Sequence, residues 1–117
     1  MSGADEIILH PGEYLIREGE ESSQMYYLQS GSVAVFKVKG GAEQQIGTIY
    51  KGELVGEMSF LDKAPRSASI KAIGECTLLV IPSEKFERFM EKQPKWFRAL
   101  INTLLDRLRR ANARIHV

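Results

Sequence analysis

A chain of 117 residues has room for one domain with its own core but not for two, and 44% hydrophobic with 26% charged residues excludes a disordered or fibrous polymer. Sixteen basic against fifteen acidic side chains, a net charge of +1, exclude the uniform basicity of a dedicated nucleic-acid binder. A single cysteine, Cys76, excludes an internal disulfide and fits a reducing, cytoplasmic setting.

The first residues, Met1-Ser2-Gly3-Ala4-Asp5-Glu6, lack a basic apolar leader. No later apolar run approaches the roughly 20 residues that span a bilayer, so no direct membrane insertion is expected. Short apolar or alternating runs follow at 7–9, 14–16, 25–28, 33–38, 45–50, 69–73 and 77–81. They read as strands. Between them lie Pro11-Gly12, Gly19, Ser30-Gly31, Gly40-Gly41, Gly52 and Gly74, which supply turns. Such regular short spacing suggests a sandwich or barrel, and no internal repeat is expected.

The pattern changes after Pro82. Ser83 is the expected N-cap of a helix carrying Phe86, Phe89 and Met90 on one face, which Pro94 should end. A second helix over 95–116 presents Phe97, Leu100, Ile101, Leu104, Leu105, Leu108 and Ile115 at helical spacing and would be roughly 33 Å long. From 95 onward six basic residues meet one acid, Asp106, so this segment holds the positive charge of the chain. Its arginines read as a solvated face or as partners of Asp106, so nucleic acid is not expected as a partner of this chain alone. Its apolar stripe is a packing surface and a possible homodimer interface.

The chemistry concentrates between 54 and 69. Gly56 lets backbone approach a ligand, and Glu57-Met58-Ser59 can open a short helix whose first amides face an anion. Arg66 can give a phosphate two parallel charge-assisted hydrogen bonds, which lysine cannot reproduce. Glu57, an acceptor-only carboxylate, can take a hydrogen bond from a ribose 2′-OH. Ser67 adds a hydroxyl, and Ala68 leaves space beside it. The set suits a small sugar phosphate. Glu57 and Arg66 alone would read as a plain ion pair beside a turn.

Gly56-Glu57-Met58-Ser59 followed by Pro65-Arg66-Ser67-Ala68 resembles the phosphate-binding cassette of the cyclic-nucleotide-binding domain family. Pro11-Gly12-Glu13, Ile16-Arg17-Glu18-Gly19-Glu20, Tyr26-Tyr27-Leu28-Gln29-Ser30-Gly31-Ser32-Val33 and Gly52-Glu53-Leu54-Val55 extend the resemblance over most of the chain. It implies a mainly β fold with C-terminal helices: a β-roll over about 7–81 with a short cassette helix, then helices over about 83–116, together one cyclic-nucleotide-binding domain. The expectation is a sensor module alone, in which the helix that usually precedes the first strand in the family and a downstream effector segment are not represented.

By the same resemblance Glu57 is the ribose-binding acid and Arg66 the phosphate-binding arginine, with Gly56, Met58, Ser59, Ser67 and Ala68 at the cassette positions that approach sugar and phosphate. Val35, Ile46 and Val55 are expected to line an apolar wall beside the base. A residue of the last helix caps the base in the family. Asn112 is the first candidate, with Arg109 and Arg110 as rivals. The expected ligand is cAMP, with cGMP possible, and no cofactor. The alternative is a β-roll that has lost its ligand and serves as an interaction module.

Enzymatic readings lack machinery. His10 and His116 form no HxH or HxxxH spacing, so a metal-dependent cupin-like barrel lacks ligands. Neither a Ser-His-acid set nor a Walker-type glycine loop is present. A binding module that senses its ligand, and no catalysis, is the expectation.

Overall fold

The computed structural model describes residues 5–115, with side chains through Ala111. Eight strands precede or flank a short helix: β1 (Asp5–Leu9), β2 (Tyr14–Ile16), β3 (Gln24–Ser30), β4 (Ser32–Lys39), β5 (Ala42–Tyr50), β6 (Leu54–Val55), α1 (Glu57–Asp62), β7 (Ser69–Ala72) and β8 (Cys76–Pro82). Two longer helices follow, α2 (Ser83–Glu91) and α3 (Lys95–Ile115). The chain divides into two compact units, Met1–Ser83 and Glu84–Val117.

The strands form two antiparallel four-stranded sheets, ordered β1-β8-β3-β6 and β2-β7-β4-β5. This is the β-roll expected from the sequence. Because side chains alternate across a strand, Tyr26, Leu28, Val55, Cys76 and Leu78 of the first sheet face inward with Ile16, Val33, Ile70 and Ala72 of the second. Leu28, Val33, Val55, Cys76 and Leu78 are completely buried. Truncating either leucine to alanine should cost about 2–5 kcal/mol. The Cys76 thiol is a small packed group directed at the carbonyls of Ser32 (3.1 Å) and Gly74 (3.3 Å).

The β4–β5 ladder holds a bulge. Val35 lies opposite Gly47, whereas Phe36 lies opposite Gln45. Ile46 is thus the extra residue of β5, left without a partner across the ladder.

Three turns share one local design. In 10–13, 17–20 and 50–53 a glycine at positive φ (Gly12 85°, Gly19 91°, Gly52 92°) precedes a glutamate. The glutamate N–H donates to the carbonyl three residues back (Glu13 to His10 3.0 Å, Glu20 to Arg17 3.1 Å, Glu53 to Tyr50 3.3 Å). Its carboxylate accepts that same residue's N–H, at 2.7 Å from His10, 2.9 Å from Arg17 and 2.9 Å from Tyr50. Each closed turn then grips the backbone of one distant residue. The glycine N–H donates to that residue's carbonyl and the glutamate carbonyl accepts its N–H: Ala72 (2.9 and 2.9 Å), Arg66 (2.8 and 2.8 Å) and Leu28 (2.7 and 3.0 Å). This short repeat was not expected from the sequence, since a Gly-Glu pair reveals its role only once its distant partner is known.

In the second unit, α2 begins at Ser83 itself, with Phe86 and Met90 half-buried and Phe89 exposed. Along α3, Trp96, Leu100, Leu104 and Leu108 repeat at every fourth position and are all exposed, a continuous apolar stripe.

Candidate ligand site

Gly56 ends β6 and starts α1 in the left-handed region at φ 75°. A Cβ there would stand 2.6 Å from Arg66 Nη1 and 3.0 Å from Ile16 Cδ1, so the position requires glycine both by conformation and by space. The carbonyl of Gly56 accepts the first helical bond from Phe60 N–H (3.3 Å). The amides of the next residues open the helix and have no carbonyl four residues back to meet.

Arg66 lies between α1 and β7, outside any strand ladder, yet it is only 6% exposed. Its Nη1 donates to Gly56 O (2.9 Å) and Ser59 Oγ (3.0 Å), and its Nη2 to Gln24 O (2.5 Å). A guanidinium carries five N–H donors. Nε–H and the second Nη2 hydrogen therefore meet no protein acceptor among the described residues. Burial pulls the Arg66 pKa below its ordinary value, while Tyr26 and Glu20 act in the opposite sense. An arginine nevertheless stays protonated in a protein.

Arg66 and Glu57 border the same open pocket of about 190 Å³, together with Gly56, Met58, Ser59, Ser67 and Ala68. All seven cassette residues singled out in the sequence thus surround one space. Its apolar wall consists of Ile16, Val35, Ile49 and Ile70. Glu57 is half-buried, and its carboxylate has no hydrogen bond or ion pair among the described residues. The contrast with the other Gly-Glu pairs is informative. The carboxylates of Glu13, Glu20 and Glu53 close their own turns, whereas Glu57 begins a helix at the pocket's border and closes no turn.

Of the three residues expected beside the base, one borders this pocket. Val35 borders the pocket, but Val55 does not: it pairs with Tyr26 and is completely buried in the core. Ile46 is half-exposed at the bulge and does not border this pocket; an extra residue there interrupts the strict in-out alternation of the strand. Ile16, Ile49 and Ile70 make up the rest of the pocket's apolar border. The two-residue alternation from Val33 and Val35, crossed with the ladder partners Ile49 and Ile70, carries that signal only once the register is known.

Of the residues considered for capping the base, Arg109 is bonded through Nη1 to Asp106 Oδ1 at 2.9 Å on the α3 surface, and Arg110 is exposed. The side chain of Asn112 lies outside the described residues. A second cavity, of about 420 Å³, adjoins Arg66 and is bordered by Leu15, Ile16, Glu20, Gln24 and Tyr26 among others.

The chain belongs to the cyclic nucleotide-binding domain family, whose model matches residues 6–93. Potassium/sodium hyperpolarization-activated cyclic nucleotide-gated channel 4 of Homo sapiens is 35% identical over 103 residues, covering 88% of this chain and 8% of the channel. The chain therefore spans only a small part of that relative. Among solved structures, the catabolite activator protein of Thermus thermophilus is 30% identical, with 97% of this chain and 54% of that one covered at a TM-score of 0.79. The EAL enzyme Bd1971 in its cAMP-bound form is 27% identical, with 93% and 29% covered at a TM-score of 0.76; the same enzyme is known in a cGMP-bound form, 26% identical at 0.78.

Proposed function

We propose that this chain senses a cyclic mononucleotide, cAMP first and cGMP second, by binding rather than by turnover. The observation that carries the reading is the shared pocket of Glu57 and Arg66, with the Glu57 carboxylate unpaired and two Arg66 donors unused among the described residues. Phosphate is held by those donors and by the opening amides of α1. Ribose is fixed through its 2′-OH by Glu57, while Ser67 offers a hydroxyl at the pocket edge. The cAMP-bound and cGMP-bound forms of the EAL enzyme support this ligand class.

A pocket of about 190 Å³ falls below the roughly 300–1,000 Å³ of sites that enclose a small molecule. It suits the sugar-phosphate part and leaves the base to be covered from elsewhere. We assign that cover to α3, through Asn112, Arg109 or Arg110. Ligand then shifts α3 only by the difference in affinity between its covering and uncovered states. The exposed stripe of Trp96, Leu100, Leu104 and Leu108 is the surface such a shift would present to a second copy or to an effector in the cytoplasm.

Displacement of a fluorescent cAMP analogue tests the reading. Unlabelled cAMP and cGMP should compete and emerge chemically unchanged after prolonged incubation, whereas a cyclic dinucleotide should not compete. Failure of both mononucleotides to bind would leave the β-roll as a ligand-free interaction module.

A further inference from the structure

Two of the three glutamate-closed turns grip residues of the core, Leu28 and Ala72, which are 0% and 3% exposed. The third, 17–20, grips Arg66 through both its N–H and its carbonyl. Arg66 has no strand ladder to fix its backbone, so this pair of bonds takes that part. The same segment also holds Ser69, whose hydroxyl accepts Glu18 N–H at 2.9 Å. The tip of the side chain is tied to Gln24 O, a few residues further along.

We infer that the 17–20 turn is the positioning element of Arg66, and that Glu20, whose carboxylate keeps this turn closed, is a positioning residue for phosphate recognition. The inference rests on the reading of Arg66 as the phosphate ligand. With the carboxylate removed, the Arg17 N–H loses its partner and the turn can open. The backbone of Arg66 then moves relative to Gly56 O and Ser59 Oγ, against which its guanidinium is aligned, and recognition sites tolerate only about 0.5 Å of such play. Glu20 itself is exposed and needs no direct contact with the ligand.

The molecule contains its own control. Glu13 closes a turn of the same geometry, but that turn grips Ala72, away from the cassette. Calorimetric cAMP affinity and the urea midpoint should be measured on the full chain carrying Glu20→Ala, Glu20→Gln or Glu13→Ala. Loss of one hydrogen bond of ordinary strength corresponds to about fivefold. Glu20→Ala should weaken cAMP by about that factor or more. Glu20→Gln, which keeps an acceptor oxygen, should stay within about twofold of the parent. Glu13→Ala should lower the urea midpoint as Glu20→Ala does and leave affinity within about twofold.

Parent-like affinity in Glu20→Ala overturns the inference. So does an equal loss in Glu13→Ala, which would make the effect one of general stability, or an equal loss in Glu20→Gln, which would make it one of charge. Should Glu20→Ala not fold, Glu20→Asp replaces it, with a shorter reach and the same expected loss. Absence of cAMP binding by the unsubstituted chain is a separate result that overturns the functional reading beneath.

Discussion

Arg66 Nη1 lies 2.9 Å from the carbonyl oxygen of Gly56, and a Cβ added to Gly56 would lie 2.6 Å from that same nitrogen. The glycine and the arginine are therefore fitted to one another, and Gly56 cannot take a side chain without moving Arg66. Gly56→Ala must displace the guanidinium and strain a backbone at φ 75°. A loss of about 1–3 kcal/mol in stability is expected, together with cAMP binding weakened at least as much as by a comparable surface change elsewhere. Urea unfolding and ligand titration on the same sample check both.

Arg66→Ala should weaken cAMP at least about tenfold, since each hydrogen bond to a charged group contributes about 1.5–3 kcal/mol. It should also destabilise the ligand-free protein, because the carbonyls of Gly56 and Gln24 each lose a donor. Arg66→Lys restores charge without the planar fork and should recover only part of the affinity. Calorimetry across the three proteins separates charge from geometry.

For Glu57→Ala the expectation differs in kind. The carboxylate has no protein partner among the described residues, so the unfolding free energy from urea titration should shift by no more than about 0.5 kcal/mol. Affinity for cAMP should fall about tenfold or more. Affinity for 2′-deoxy-cAMP, which lacks the hydroxyl that would donate to Glu57, should scarcely change. Parallel titrations with the two nucleotides read this out.

Gly31 makes a purely structural comparison. It has φ 86°, and a Cβ would approach Glu75 O to 2.5 Å and Cys76 Sγ to 2.8 Å. Gly31→Ala should cost about 2–5 kcal/mol, from backbone strain and overpacking together. At a temperature where the variant remains folded, its cAMP affinity should match the parent within about twofold.

Local chemistry made most of this architecture readable in advance. Strand positions followed from alternating apolar residues, and the cassette from the resemblance of Gly56-Glu57-Met58-Ser59 and Pro65-Arg66-Ser67-Ala68 to that of the family. Facing relations were harder. Val55 sits next to the cassette in sequence, yet its pairing with Tyr26 in β3 turns it into the core, and that pairing is non-local. The bulge at Ile46 is equally silent in composition. The two-residue strand β6 is too short to show a period of its own. Likewise, five Gly-Glu pairs are visible in the sequence, but only the hydrogen-bond partners separate three closed turns from the pair that borders the pocket.

Calorimetric titration of the unsubstituted chain with cAMP tests the central claim most directly, provided that copurified nucleotide is first removed by unfolding and refolding. The account predicts saturable binding at one site per chain, weakened in both Arg66→Ala and Glu57→Ala. Absence of binding by either cAMP or cGMP to the refolded chain, or binding indifferent to both substitutions, would contradict it.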